Sequence, residues 1–151
     1  MTSSDRDQLR RQLIVHEGYR RTPYHCTAGI LTIGIGRNLD DVGIDREEAR
    51  YLLDRDIARA TDDLASFGWF HVLDVIRQRA LIDMRFQLGP SRFRGFAKMI
   101  TALARQDYAT AAAEALDSKW ARFDTPGRAQ TVAAMLRTGD VAAWTHTGDE
   151  T

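Results

Sequence analysis

The chain has 151 residues, 44% of them hydrophobic and 28% charged, with 21 basic and 21 acidic side chains and a formal net charge of zero. That length suits one domain able to bury a core without staples, and that composition excludes a disordered chain. Its single cysteine, Cys26, excludes an internal disulfide and a multi-cysteine zinc site, and no apolar run approaches the roughly 18 residues of a membrane span.

Leu9, Leu13 and Ile14, with their polar flanks, predict a first helix over residues 4–16, with Gly18 as its stop. The start, Met1 to Arg10, lacks the apolar core of a secretory leader, so any extracytoplasmic role is expected to need another export route. From Pro23 to Gly36 the chain is rich in β-branched residues and glycine, which predicts a small hairpin or sheet with turns and close backbone approaches. Asp45, with Glu48 three positions on, reads as a capping box. Behind it Ala49, Leu53, Ile57, Ala60 and Leu64 recur at helical spacing, which predicts one long helix to about Ser66. A second stripe, Leu73, Ile76, Ala80, Leu81, Met84 and Leu88, ends at Gly89-Pro90.

Shorter helices follow at about 95–105, 107–120, 125–137 and 140–146, with Thr125 as an N-cap and Pro126 at the first helical position. Met84, Phe86, Met99, Trp120 and Met135 read as core residues of this helical half. There is no repeat, low-complexity tract or linker. Strands segregated near the N-terminus of a mostly helical chain give the α+β class.

The zero net charge conceals a pattern. Residues 1–39 carry +3, residues 40–75 carry −6, residues 76–139 carry +6 and residues 140–151 carry −3. Basic segments suit either solvated helix faces or an anionic polymer such as nucleic acid or cell wall.

Several functional motifs fail. Gly34-Ile-Gly36 begins a dinucleotide fingerprint, but Leu39 stands where its next glycine belongs. His16-Glu17 opens a zinc-protease motif that Arg20 ends. The five serines form no nucleophile elbow, the four histidines have no metal-ligand spacing, and no nucleic-acid module is present. No cofactor or metal is therefore expected.

What remains is Glu17, at the C-terminal end of the first helix. The helix dipole there opposes a carboxylate and favours its protonated form, a poor choice for stability and a useful one for a general acid. The hairpin follows at once, so Glu17, Cys26 and Thr32 can converge on one wall. Taken singly, Glu17 is also a solvent-facing helix end, Cys26 a small buried apolar residue and Thr32 a β-propensity choice.

Glu17, eight residues, Cys26, five residues, Thr32 is the catalytic spacing of the phage lysozymes of the T-even type, the muramidases of glycoside hydrolase family 24, and the chain resembles them. His16-Glu17-Gly18, Pro23-Tyr24 and Leu31-Thr32-Ile33-Gly34-Ile35-Gly36 carry the likeness. So do Phe86-Gln87-Leu88-Gly89, Gly95-Phe96, Ser118-Lys119-Trp120, Thr125-Pro126-Gly127-Arg128-Ala129 and Arg137-Thr138-Gly139. It spans almost the whole chain, in order and without large gaps.

The resemblance implies a single lysozyme-like muramidase domain. It would have a sheet lobe at about 18–44, a connector helix at about 45–66, and a helical lobe at about 67–147 joined by the helix 4–16. Peptidoglycan would lie between the lobes and be cut between N-acetylmuramic acid and N-acetylglucosamine. Glu17, Cys26 and Thr32 would be catalytic, Gln87, Phe96 and Arg128 would bind substrate, and Tyr24, Arg37 and Asp56 would support the site. Arg128 matches the family arginine that approaches the catalytic glutamate. Arg37 stands where related lysozymes often have His and is expected to pair with Asp56.

The implied protein is a monomer without nucleic-acid partner or stable membrane anchor. It would accumulate in a host bacterial cytoplasm and reach the periplasm and wall through a holin-type pore. Glu17 would protonate the glycosidic oxygen while Cys26 and Thr32 position water, with Cys26 as covalent nucleophile a second option. A cysteine hydrolase of wall amide bonds, pairing Cys26 with His25 or His71, remains open, although adjacent His25 and Cys26 point to opposite faces of an extended strand. A non-catalytic wall-binding virion protein on the same fold also remains open.

Overall fold

The chain begins with a capping box that the helix periodicity alone does not reveal. The backbone N–H of Asp5 donates to the Thr2 hydroxyl at 3.2 Å, and the Thr2 N–H donates to the Asp5 carboxylate at 2.9 Å. Helix α1 (Ser3–Glu17) runs from this cap to Gly18, whose φ of 69° closes the last turn through an N–H bond to the Ile14 carbonyl. This computed structural model describes residues 1–141, so the helix expected at 140–146 falls, beyond Val141, outside the described residues.

Three strands follow: β1 (Arg20–His25), β2 (Leu31–Gly34) and β3 (Arg37–Asn38), antiparallel in the order β1-β2-β3. Pro23 lies on the edge strand β1, where a missing N–H is tolerated, and the pairing shifts register between Arg20 and Tyr24. Tyr24 faces Thr32, and Thr32 in turn faces Asn38.

Helix α2 (Arg46–Ala65) starts on the expected capping box. The Glu48 N–H donates to Asp45 at 2.8 Å, and the Asp45 N–H donates back to Glu48 at 2.9 Å. Of its predicted stripe, Ala60 and Leu64 are buried, whereas Leu53 and Ile57 remain about half exposed. The chain divides into two compact units, Met1–Leu52 and Leu53–Thr151, with the boundary inside α2.

The second unit holds α3 (Val75–Arg94), α4 (Ala97–Ala104), α5 (Tyr108–Leu116) and α6 (Pro126–Thr138). A 3₁₀ turn, Phe70–Val72, precedes α3, and a π turn, Trp120–Asp124, precedes α6. The stripe predicted for α3 is the buried face, with Ala80, Leu81, Met84 and Leu88 inside. Gly89 breaks the helix with φ 76° and ψ 167°, and Pro90 starts a further turn. That turn delivers Phe93, fully buried, to the core with Leu64, Met84, Met99, Leu103, Val132 and Leu136.

Met84, Met99, Trp120 and Met135 are buried as expected, but Phe86 is 42% exposed. Two positions along a helix turn a side chain by about 200°, so with Met84 and Leu88 facing inward Phe86 faces out.

Two polar clusters tie this unit together. Asp63, at the end of α2, accepts from Arg85 at 2.9 Å and also from Arg94, whose guanidinium lies 5.6 Å from the Phe67 ring centre. The Arg94 hydrogen bond, and then that of Arg85, hold Asp63 below the usual carboxylate range against the desolvation that raises it. Its contribution to stability is present above the unfolded carboxylate range and lost as pH falls through the lowered folded value. At the C-terminus of α6, Arg77 donates to the carbonyls of Leu136, at 2.7 Å, and Arg137, at 3.1 Å, satisfying acceptors that helix geometry leaves open.

Candidate active site

Glu17 is the last residue of α1, and the chain turns at Gly18 directly into β1. Antiparallel pairing then brings the β2–β3 turn, Gly34-Ile35-Gly36-Arg37, back over the helix end. Gly36 has φ 67°, and a Cβ on it would fall 2.7 Å from the Glu17 Oε2 and 3.0 Å from its Cδ. The carboxylate therefore lies directly against the backbone of the β2–β3 turn. Among the described residues of the first unit, none forms a hydrogen bond or ion pair with it.

Cys26 and Thr32 are brought together by the β1–β2 turn. The Cys26 N–H donates to the Ile30 carbonyl at 3.0 Å, and the Gly29 N–H donates to the Cys26 carbonyl at 2.8 Å. This tight turn aims backbone amides at the thiol. The N–H of Ala28 first, then that of Ile30, pull the Cys26 thiol below its ordinary range, favouring thiolate. Thr32 is only 5% exposed, and its hydroxyl donates to the Ile30 carbonyl at 3.0 Å. Tyr24, half-buried opposite Thr32, carries the Arg20 guanidinium 4.8 Å from its ring centre.

Arg37 supports the turn within the first unit. Its guanidinium donates to Glu48 at 2.6 Å and to the Gly43 carbonyl at 2.8 Å. On its own helix Asp56 pairs with Arg59, at 3.0 Å. Glu48 is the natural partner because the capping box already holds its carboxylate at the first turn of α2.

In the second unit the Gln87 amide bonds to two neighbours. It accepts from the Trp120 indole at 2.9 Å and donates to the Thr125 hydroxyl at 3.1 Å. Thr125 thus spends its hydroxyl on Gln87, and α6 begins without the side-chain cap expected of it. Phe96 meets Trp120 edge-to-face at 6.2 Å, and together they line a groove of about 670 Å³ that also carries Arg92, Lys98, Glu114 and Lys119. Arg128 is held by Asp83, 2.5 Å from its Nε.

Sequence reasoning missed Gly36 as a neighbour of Glu17, and Glu48 and Asp83 as ion-pair partners. The glycines between Leu31 and Arg37 were the available signal for the first. Among the described residues, no group of His, Cys, Asp and Glu is arranged to hold a metal, and no helix is long and apolar enough to cross a membrane.

The phage lysozyme family profile matches residues 15–137. The chain is 27% identical to probable T4-type lysozyme 1 of Dictyostelium discoideum, over 95% of this chain and 99% of that one. It is 28% identical to probable T4-type lysozyme 2 of the same organism, over 92% and 96%. It is also 30% identical to the pre-baseplate central spike protein Gp5 of Enterobacteria phage T4, over 85% of this chain and 27% of that protein.

Proposed function

The chain belongs to the phage lysozyme family and is a muramidase-like peptidoglycan hydrolase, and from that premise we propose that it cuts the β-1,4 bond between N-acetylmuramic acid and N-acetylglucosamine with Glu17 as general acid. The observation that carries this reading is the placement of the Glu17 carboxyl at the end of α1, against the β2–β3 turn of the hairpin that bears Cys26 and Thr32.

In the forward step Glu17 gives its proton to the glycosidic oxygen. The bond from that oxygen to the anomeric carbon breaks, and the sugar ring develops oxocarbenium character. Water then attacks the anomeric carbon, and its proton returns to the Glu17 carboxylate. Cys26 and Thr32 act on the water and the developing charge. The turn amides that favour the Cys26 thiolate give this position more negative character than an unperturbed thiol has.

Cys26 separates two forms of the mechanism. If it orients water and offsets charge, Cys26→Ser retains partial hydrolysis, and mass analysis of trapped enzyme shows no sugar on the protein. A glycosyl adduct on Cys26 would replace water positioning with covalent catalysis.

The likeness to a spike protein of a phage particle favours a second reading of setting, with the same chemistry acting from a particle. Detection of the chain in purified particles distinguishes it from a free lysis enzyme.

A further inference from the structure

We propose that Gly36 is a positioning residue for the hydrolysis, its missing side chain being the space that the Glu17 carboxyl occupies; this deepens the general-acid reading and rests on it. Three observations carry the inference.

A Cβ at Gly36 would lie 2.7 Å from Oε2, 3.0 Å from Cδ and 3.1 Å from Cγ of Glu17, so the overlap is with the whole end of that side chain. Those atoms are the free end of a flexible side chain, which yields by rotating away while the backbone stays in place. The cost of a side chain at Gly36 therefore falls on the position of the acid. Lastly, no hydrogen bond or ion pair from the described residues of the first unit fixes the carboxylate, so the glycine surface is what bounds it on the hairpin side.

The neighbouring glycine supplies a matched control. Gly34 has φ 68°, nearly that of Gly36, and a Cβ on it meets nothing within 4 Å. Alanine at either position carries the same left-handed backbone strain. Only alanine at Gly36 collides with Glu17.

A general acid must sit within hydrogen-bond reach of the leaving oxygen, and a misplacement of about 1 Å can cost roughly a hundredfold in rate. The proton transfer is felt in the chemical step, whereas substrate binding draws on contacts spread along the sugar chain. Loss of position therefore appears in kcat with KM little changed.

The test compares Gly36→Ala with Gly34→Ala on a soluble peptidoglycan fragment, with thermal melting of both and Glu17→Gln in the same assay. The two alanine variants are expected to melt at similar temperatures. The Gly36 variant is expected to lose kcat by roughly a hundredfold with KM within a few-fold, while the Gly34 variant keeps most of its kcat. If either alanine variant fails to fold, Gly36→Asn and Gly34→Asn replace the pair, because asparagine tolerates the left-handed region. Equal kcat in the Gly36 and Gly34 variants, or a loss confined to KM, overturns the role of Gly36. Retained activity in Glu17→Gln overturns the general-acid reading beneath it, so the two failures are distinguishable.

Discussion

Glu17→Gln is expected to abolish lysis of purified peptidoglycan while leaving the melting temperature close to that of the parent protein. Glutamine keeps the length and hydrogen-bonding shape of the side chain but has no carboxyl proton to give. General acid catalysis contributes about 10²–10⁴-fold in typical enzymes, so the residual rate should lie at least that far below the parent. Stability should hardly change, because Glu17 is exposed at a helix end and the described residues of its own unit place no charged partner on it. Substitutions at such positions usually stay within about 0.5 kcal/mol. Turbidity of a wall suspension reads the activity, and circular dichroism reads the melt. Substantial lysis by a folded variant would remove Glu17 from the mechanism.

The largest expected effect on stability lies at Phe93. Its ring is fully buried and packs against Phe67 with centres 6.3 Å apart at 55°. Truncation to alanine removes an aromatic side chain from the core of the second unit and leaves a cavity that the surrounding core can fill only in part. The expected loss is about 3–5 kcal/mol, a large share of the roughly 5–15 kcal/mol that holds a typical domain folded. Urea unfolding of Phe93→Ala against the parent measures it. A loss under about 1 kcal/mol would mean that the turn after Pro90 repacks freely and that Phe93 does not anchor it.

Phe93 also shows what the sequence could convey and where it stopped. The stripe from Leu73 to Leu88 was legible because helical periodicity is local, and its core face is the one observed. Gly89-Pro90 was legible as a stop, and Gly89 does leave helical geometry. The resumption after it depends on Pro90 being well suited to open a new turn, and on a core that accepts Phe93. Local capping chemistry read well at Asp45 and Glu48, where both partners lie within one turn. It misled at Thr125, whose hydroxyl was claimed by Gln87, 38 positions away. The stripe Leu9, Leu13, Ile14 correctly marked a helix, yet periodicity does not say what covers it, and no residue of α1 is buried.

The candidate site divides in the same way. Glu17, Cys26 and Thr32 were singled out by residue type and spacing, and by the resemblance those spacings support. The lowered thiol of Cys26 was not legible, because it arises from the aim of the Ala28 and Ile30 amides in a turn whose shape no single residue encodes. Arg37 bonds Glu48 in the first turn of α2. The Glu48 bond was not legible, because it depends on the capping box that holds this carboxylate at the first turn of α2.

The central claim is the class of bond that breaks, and digestion of purified peptidoglycan by the intact chain tests it most directly. New reducing ends on N-acetylmuramic acid are expected, with no new free amino groups from the peptide stems. Release of amino groups without reducing ends, cyclised muramic ends, or no cleavage by a folded protein would contradict it.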